Sequence, residues 1–463
     1  MKKKIFNVIN LVIASVILSS FFACSTTDPK EPEPTTPTEV VTIEGEITED
    51  LTLTSNKQYL LKGFVYVTNS AELTIEPGTI IKGDKASKAT LVIERGGKIW
   101  AQGTKNSPIV FTSNQPKGER SYGDWGGIVI CGNAKVNTAT GTAKIEGGPR
   151  SEYGGLDNND NSGALEYVRI EFSGVEYATD NEINGLTLGG VGSATILRHI
   201  QVSYCGDDSY EFFGGTVNAK YLVAFRGWDD EFDTDNGFSG KLQFLVGLRD
   251  PNVADKSKSN GFESDNDASG SSNAPFTSPI FSNVSLFGPY TTLSDVVEPQ
   301  GGNGDFQAAM HLRRNTKLKV YNSVFAGWPN GLFIENGGKG DAQGNATNGD
   351  LVVANSILAG IKTKNFMEDS KGTADFNKNY WEKEEQHNSV LTTNADLKLN
   401  NPFSLPNPNF TALANSPVLD AASFEYSPIK DDTFFEKVSF VGAFGTEDWT
   451  QGWTNWDPQN TDY

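Results

Sequence analysis

Residues 206–215 read Gly-Asp-Asp-Ser-Tyr-Glu-Phe-Phe-Gly-Gly, and residues 227–237 repeat the pattern as Gly-Trp-Asp-Asp-Glu-Phe-Asp-Thr-Asp-Asn-Gly. The second acidic run begins 22 residues after the first, so that Asp207 corresponds to Asp229. Each copy combines turn-forming Gly and Asp with a short run of strand-forming aromatic residues. A period in the twenties, built of strands and polar turns, predicts a β-solenoid whose successive coils stack on one another.

The same pattern extends along most of the chain. Looser copies follow at residues 261–267 and 330–336, and short strand-like runs ended by Gly, Pro or Asn fill residues 41–113. No run of helix length with a 3.6-residue apolar period interrupts them. The 48 glycines suit the turns, and a hydrophobic content of 37% suffices for a long, narrow core. Pattern and spacing therefore predict an all-β parallel β-helix.

The N-terminus is typical of an export signal. Lysines occupy residues 2–4, an apolar run too short to span a bilayer covers residues 11–22, and Ala23 precedes Cys24. This arrangement resembles bacterial lipoprotein signals, which implies that Cys24 becomes the lipidated first residue. Ordinary secretory cleavage nearby is the alternative, and either route exports the protein.

Four segments are expected on this basis. A Pro- and Thr-rich stretch without apolar residues follows the signal and predicts an extended tether. The segments are a signal peptide at residues 1–23, a tether at 24–39, a parallel β-helix at 40–440 and a C-terminal cap at 441–463.

The predicted cap is aromatic. Trp449, Trp453 and Trp456, three of the eight tryptophans, lie in the final fifteen residues. A β-helix leaves an open apolar end and an unpaired strand edge, which such a segment would cover. Stacking of sugars on these rings is the functional alternative.

Charge and cysteine content narrow the classes of partner. Removal of the three lysines of the signal takes the formal net charge from −20 to −23. This acidity argues against nucleic acid and anionic membrane surfaces, and it favours divalent cations or cationic ligands. Cys131 and Cys205 lie in apolar or strand-like runs and are expected to be separate buried thiols, although export permits a disulfide.

Two stretches of the first coils carry a family resemblance. Residues 73–83 read Leu-Thr-Ile-Glu-Pro-Gly-Thr-Ile-Ile-Lys-Gly, and residues 91–104 read Leu-Val-Ile-Glu-Arg-Gly-Gly-Lys-Ile-Trp-Ala-Gln-Gly-Thr. Together with Asp124-Trp125-Gly126-Gly127 and the acidic repeats, they resemble the right-handed, single-stranded parallel β-helix lipoproteins exported by Bacteroidota. The resemblance covers nearly the whole mature chain and implies that fold, an outer-membrane lipid anchor and a place at the cell surface. It implies no particular activity.

A polar stretch interrupts the strands between residues 132 and 163. It is too polar for a core strand and is expected to loop out from one corner of the solenoid. Long excursions from a solenoid often share the binding face, although a tolerated insertion would have the same composition.

The acidic repeats are the strongest candidates for a functional site. Residues one coil apart stack about 4.8 Å apart, so Glu211 should lie beside Asp233 and repel it unless a cation intervenes. Carboxylates and turn carbonyls are the ligands that Ca²⁺ prefers. The alternative is that these side chains cap turns. The predicted calcium ligands are Asp207, Asp208, Glu211, Asp229, Asp230, Asp233, Asp235, Glu263 and Asp265.

Catalysis is the less favoured interpretation. Parallel β-helices include pectate lyases and polygalacturonases, and a lyase would need calcium and a basic side chain. The arginines available for that role are Arg226, Arg249, Arg313 and Arg314. However, the Gly-His-Gly motif of polygalacturonases is absent, and Asn-Thr-Asp occurs only at residues 460–462. The three histidines, at positions 199, 311 and 387, are scattered, and His199 lies in a strand where a structural role is expected.

These observations favour a surface-exposed outer-membrane lipoprotein that binds a ligand or assists a transporter. The expected ligand is a glycan or a peptide, with a TonB-dependent transporter as a candidate partner. A polysaccharide lyase or hydrolase is one alternative, and a structural or adhesive surface module is another.

Overall fold

The computed structural model describes residues 39–68, 70–178, 181–299 and 304–463. The predicted signal peptide, Cys24 and the tether up to residue 38 lie outside these residues. Within the described part of the chain, no helix is long and apolar enough to cross a membrane.

One sheet of 26 strands forms the body of the molecule. Its strands are β1 Val40–Ile47, β2 Leu51–Leu53, β3 Gln58–Val67, β4 Glu72–Ile75, β5 Ile80–Gly83, β6 Thr90–Ile93, β7 Lys98–Gln102, β8 Ile109–Ser113, β9 Gly127–Cys131, β12 Gly163–Glu171, β15 Leu186–Gly189, β16 Ile196–Ser203, β17 Tyr210–Phe213, β18 Asn218–Phe225, β19 Phe232–Asp235, β20 Lys241–Leu248, β21 Phe262–Ser264, β22 Ile280–Phe287, β23 Ala308–Leu312, β24 Lys319–Tyr321, β25 Val324–Ala326, β26 Asn330–Ile334, β27 Val352–Ala354, β28 Ile357–Ala359, β29 Lys364–Phe366 and β30 Ser389–Leu391.

Three antiparallel hairpins lie outside this sheet. They pair β10 Ala143–Lys144 with β11 Glu152–Tyr153, β13 Glu176–Ala178 with β14 Asn181–Glu182, and β31 Leu399–Asn401 with β32 Asn409–Ala412.

The strands of the large sheet wind into a three-sided right-handed parallel β-helix, which confirms the predicted fold. In one coil, residues 196–198 and 200–203 of β16 lie on two faces and β17 lies on the third. The next coil repeats this order with β18 and β19, and every pairing between the coils is parallel. Coils of this kind bury their apolar side chains inside the tube, where each coil packs on its neighbours.

The acidic repeats all fall on the third face. Tyr210 pairs with Phe232 and Phe232 with Phe262, and these rings point into the core with no exposed surface. The fourth copy, residues 330–336, lies on the same face in β26. The coil of β23 separates it from the third copy, and the repeat did not predict this extra coil. We call the outer surface of β15, β17, β19, β21 and β23, with the turns before these strands, the acidic face.

The short helices of the described residues all lie in the C-terminal part of the chain. They are α1 Ala342–Asn348, α2 Phe376–Trp381 and α3 Ser427–Lys430, with 3-10 helices at Glu384–Gln386, Asn394–Leu397 and Pro458–Asn460. Tyr380 and Trp381 of α2 are buried in the core cluster beyond the last coils.

The predicted C-terminal cap is placed differently. Residues 421–463, which we call the strap, run back along the side of the β-helix. Asn322 contacts Ser423, Gln243 contacts Glu436, and Gln201 contacts Asn455. Because strap residues of rising number meet coil residues of falling number, the strap lies along one flank and does not cover the open end. Trp453 is buried there against the coils.

The strap covers a corner of the helix lined by stacked side chains. Tyr167, His199, Tyr221 and Phe244 occupy the same position in successive coils, each with φ between 50° and 61°. Left-handed backbone at a bulky residue is unfavourable, and the ring stacking and the cover of the strap compensate for it. Asn283, Asn322 and Asn355 continue this corner row in later coils, with φ of 57°, 51° and 50°.

The polar stretch after β9 loops out, as predicted. Its hairpin β10–β11 packs Ile145 and Tyr153 against Cys131, Ile183 and Phe213 on the outside of the third face. The insertion therefore forms a wall beside the acidic face. Cys131 and Cys205 are both buried free thiols, as the sequence analysis expected.

Candidate metal-binding site

Strand register brings the acidic residues together. Glu211 pairs with Asp233, and Asp233 pairs with Glu263, so that three carboxylates form a column across β17, β19 and β21. This confirms the predicted stacking. The turns before the strands add a second column, in which the backbone N–H of Asp230 donates to Asp208 Oδ1 at 2.7 Å.

Three groups of carboxylates have one oxygen from each residue within 4.8 Å of the others. They are Asp207, Asp208 and Asp229; Asp208, Glu211 and Asp233; and Asp230, Asp233 and Glu263. These groups could hold a metal ion, since they gather anionic oxygens as Ca²⁺ sites do. They contain seven of the nine predicted ligands.

The other two predicted ligands have different surroundings. Asp265 binds Arg313 Nε through Oδ1 at 2.9 Å and Arg314 through Oδ2 at 2.6 Å. Asp235 accepts a hydrogen bond from the backbone N–H of Asn236. Neither belongs to a described group of three, so the geometry does not assign them to a cation.

The alternative role as turn caps applies to part of the site. Asp208 accepts the Asp230 N–H, and Asp230 accepts the N–H of Asn260. One oxygen of each carboxylate is thereby used. By contrast, Asp229 Oδ1 and Asp233 Oδ1 are buried and have no hydrogen-bond partner. Buried polar atoms are paired in most folded proteins, and no protein group pairs with these two oxygens.

Burial and mutual repulsion disfavour ionisation of the cluster. Burial, with the neighbouring Asp233 and Glu146, raises the pKa of Glu211 well above its usual range. Burial, followed by the charges of Glu263 and Asp265, does the same for the pKa of Asp233. For Asp229, burial raises the pKa to about 7. A cation among these carboxylates would reverse the effect, because it stabilises their ionised form.

Glu263 is the exception at the C-terminal side. Burial opposes its ionisation, but His311, whose Nδ1 lies 3.5 Å from Glu263 Oε2, and the charge of Arg313 lower the pKa of Glu263. His311 follows Glu263 in the ladder, and its Nε2 lies 2.7 Å from Glu335 Oε2. The acidic column therefore ends at a coil that carries positive charge.

The sequence did not predict that loops supply further side chains to the acidic face. Asn184 Nδ2 donates to Glu211 Oε2 at 2.6 Å and lies 3.4 Å from Glu146 Oε1, which comes from the insertion. Ser257 Oγ donates to Asp229 Oδ2 at 2.6 Å. The insertion's polarity was the available signal, but only the packing of its hairpin shows which acidic residue approaches the column.

A cleft of about 220 Å³ adjoins the C-terminal end of the acidic face. Its lining residues are Arg313, Arg314, Glu335, Asn336, Gly337 and Lys339. Both arginines are already paired with Asp265, and Arg313 also contacts Glu263. The cleft is therefore a mixed-charge surface.

All four arginines considered as catalytic bases are engaged in ion pairs. Arg226 pairs with Asp250 at 2.6 Å, and the fully buried Arg249 pairs with Glu231 at 3.2 Å. The carboxylates around Arg313 hold its pKa above the ordinary value. Each of these guanidinium groups is therefore held by at least one carboxylate. His199 is packed between aromatic rings, as its predicted structural role requires.

Comparison with known proteins identifies the family. No curated protein matches the sequence. Among solved structures, the chain is similar to the crystal structure of pectate lyase Pel9A, with 10% identity and a TM-score of 0.31 over 89% of this chain and 97% of that chain. A similarity of this size carries no argument about activity. Residues 45–454 match the family described as a pectate-lyase like beta helix domain. The chain therefore belongs to the family of pectate-lyase-like β-helix domains.

Proposed function

We propose that this protein is a calcium-dependent ligand-binding protein of the bacterial cell surface, anchored in the outer membrane through Cys24. The observation that carries the proposal is the pair of buried, unpartnered oxygens Asp229 Oδ1 and Asp233 Oδ1 within the grouped carboxylates. Ca²⁺ takes six to eight oxygen ligands, and an ion held on an outer face can complete its shell with a ligand's oxygens. A glycan or a peptide that carries carboxylates or hydroxyls would supply them.

Calcium binding is tested by isothermal titration of the metal-stripped protein with CaCl₂. We expect saturable binding that Asp229→Asn with Asp233→Asn abolishes. Asp432→Asn is the matched control, because Asp432 pairs with Lys241 at the strap and does not belong to the acidic face. If the wild-type protein takes up no calcium, the carboxylates serve as turn caps and the proposal fails.

The anchor and the partner are separate parts of the proposal. The signal-like residues 2–24 support lipidation of Cys24, and the acidity of the chain supports a partner other than nucleic acid. Fractionation should recover the wild type in outer membranes and Cys24→Ser in the soluble fraction. Affinity capture from solubilised outer membranes should recover a TonB-dependent transporter if the protein assists uptake. A structural or adhesive module would bind cells without recovering one.

A polysaccharide lyase is the second candidate, and membership of a pectate-lyase-like family favours it. The ion-paired state of the four arginines argues against a free base at the acidic face. A screen of acidic polysaccharides with added calcium, followed by ultraviolet absorbance of unsaturated products, separates the two functions. Binding without new absorbance is the expected result.

A further inference from the structure

The first coil of the β-helix has an unpaired edge. Among the described strands, β1 pairs only with β3, and β2 pairs only with β4. The backbone N–H and C=O groups on the other side of β1 and β2 are therefore left without strand partners. We call this side of Val40–Ile47 and Leu51–Leu53 the N-terminal edge. An edge of this kind is a template for pairing with another strand.

The apolar core is also open at this edge. Val41 and Ile43 lie at core positions of β1 but are only half-buried, and Leu51 of β2 is half-buried in the same way. One coil later, their partners Tyr59 and Leu61 are 4% and 2% exposed. The same positions are thus covered where a coil follows on both sides. The first coil lacks one such neighbour.

The segment that precedes β1 has the wrong composition to supply that neighbour. Residues 25–38 contain four prolines and no Val, Ile, Leu, Met or aromatic side chain. Proline has no N–H to donate and is excluded from the interior of a sheet. A strand that completes the first coil must therefore come from another chain.

The charge of the first coil selects the kind of strand. Residues 39–57 carry five acidic side chains and one basic side chain. Glu44 and Glu49 are both exposed. Repulsion disfavours pairing with the same edge of a second copy, whereas a basic strand is attracted. Because side chains alternate along a strand, residues that cover Val41 and Ile43 should be apolar and those between them basic.

We propose that the N-terminal edge binds a β-strand of another protein in which basic residues alternate with apolar ones. The strand would extend the ladder beyond β1 through main-chain hydrogen bonds, and its apolar side chains would cover the open end of the core. This edge is separate from the acidic face, since β3, β6 and β9 lie between β1 and β15. The interaction therefore goes beyond the proposed function and needs no calcium.

One backbone contact identifies the groups that the partner would use. Gln58 N–H donates to Glu39 O, so the odd-numbered residues of β1 face β3 as far as the bulge after Glu44. In a strand, the N–H and C=O of successive residues point to opposite sides. Val40, Thr42 and Glu44 therefore direct their N–H groups to the open side.

Binding is tested in chelator with a peptide of about ten alternating lysine and valine residues, blocked at both ends, at about 0.15 M ionic strength. Fluorescence anisotropy should show saturable binding. A second peptide, with the two central valines changed to proline, has the same charge but cannot pair along its length. It should bind more weakly by a factor of at least about ten. Equal affinity for both peptides would show charge attraction alone and would overturn the proposal.

Variants of the protein locate the contact. Thr42→Pro removes an N–H that faces the open side, where an edge strand tolerates proline, so it should weaken peptide binding about tenfold and retain the fold. Glu44→Gln with Glu49→Gln should weaken binding through charge. Glu384→Gln with Glu385→Gln, an equal change in charge at exposed residues far from β1 in the sequence, is the matched control. Affinity unchanged by Thr42→Pro would exclude pairing at β1.

Hydrogen–deuterium exchange of the wild type tests the same contact without a variant. The amides of Val40, Thr42 and Glu44 should exchange rapidly in the protein alone and slowly with the peptide, whereas amides that face β3 should be slow in both. Slow exchange before peptide is added would mean that residues 25–38 or a second copy cover the edge, which sedimentation velocity distinguishes. Either result, or no change on adding the peptide, would overturn the proposed partner.

Discussion

His199 is a half-buried titratable side chain stacked between aromatic rings. Its ring stacks on Tyr167 at 4.3 Å and on Tyr221 at 4.5 Å, and Trp453 meets it edge-on at 5.7 Å. Burial and the charge of Arg198 lower the pKa of His199 to about 4. The folded state thus binds this proton less readily than the unfolded state, so His199 should destabilise the fold as the pH falls from about 6.5 to about 4.

Replacement by phenylalanine should remove this penalty. At pH 4.5 we expect His199→Phe to be more stable than the wild type by about 1–2 kcal/mol, after allowance for the partial exposure of the ring. The difference should shrink above pH 7, where the histidine is neutral in both states. Denaturant unfolding at both pH values measures it. His387→Asn, which changes an exposed histidine, is the matched control.

The acidic face should respond to pH in the opposite direction. Burial and the charge of Asp265 raise the pKa of Asp235 to about 8, and burial raises that of Asp229 to about 7. A carboxyl whose folded pKa is raised binds more protons in the folded state. Stability of the metal-free protein should therefore fall as the pH rises from about 4 to about 8, by up to about 1.4 kcal/mol per pH unit for each group.

Thermal unfolding in chelator across this pH range checks the sign. Asp235→Asn should flatten the decline, since an amide cannot ionise. Added Ca²⁺ should flatten it too, because the cation favours the ionised carboxylates. A melting temperature of the metal-free wild type that rises between pH 5 and pH 8 would contradict these pKa directions.

The sequence could predict some of the site residues but not others. The 22-residue spacing was enough to place Glu211 beside Asp233, because register in a solenoid follows the repeat. It could not reveal Glu146, Asn184 or Thr187, whose approach depends on the docking of a hairpin and on β15, a strand without acidic side chains. It also could not show that Asp265 is held by two arginines 48 and 49 residues further along the chain.

The strap is held in place by side-chain amides of the coils, which form hydrogen bonds with its backbone. Gln243 Nε2 donates to Glu436 O at 2.8 Å while Gln243 Oε1 accepts the Glu436 N–H at 2.8 Å. Gln201 forms the same pair of bonds with Asn455. These paired hydrogen bonds fix the path of an extended segment without requiring particular strap side chains.

Removal of both amides should loosen the strap. Each glutamine forms two hydrogen bonds with the strap, so Gln201→Ala with Gln243→Ala should cost about 2–4 kcal/mol of local stability. Limited proteolysis should then cut near residues 440–455 in the variant before the coils are cut. Gln451→Ala alters an exposed glutamine on the strap and should leave the rate unchanged. Equal cleavage rates in all three proteins would mean that aromatic packing alone holds the strap.

The strap also marks where sequence reasoning about elements failed. Its tryptophans were correctly identified as covering apolar surface, but the surface is a flank and not the open end. The sequence pattern does not show that Tyr167, His199 and Tyr221 take positive φ and turn their rings outward. Without this corner row, the apolar surface on the flank could not be predicted. The end of the core is closed instead by Tyr380 and Trp381 of α2.

For the whole molecule, stacking makes stability a sum over neighbouring coils. In a solenoid each coil is stabilised by the two coils beside it. A weak interface in the middle therefore leaves the two halves of the β-helix poorly coupled and allows them to unfold separately. The coil of β19 carries the two buried, unpartnered oxygens of Asp229 and Asp233, and it stacks between the coils of β17 and β21 at this central position. Their interfaces should therefore govern unfolding of the entire β-helix in the absence of metal.

Calcium should accordingly stabilise the whole chain. An ion that binds only the folded state adds RT ln(1 + [L]/Kd), which is about 2.7 kcal/mol when calcium exceeds Kd a hundredfold. Differential scanning calorimetry should show a melting temperature several degrees lower after thorough chelation. Asp229→Asn with Asp233→Asn should abolish that response. In chelator the same variant should melt above the wild type, because neutral amides end the repulsion between coils. A wild-type melting temperature unchanged by chelation, with a variant that melts lower in both buffers, would show that these carboxylates stabilise the coils as hydrogen-bond acceptors without a metal.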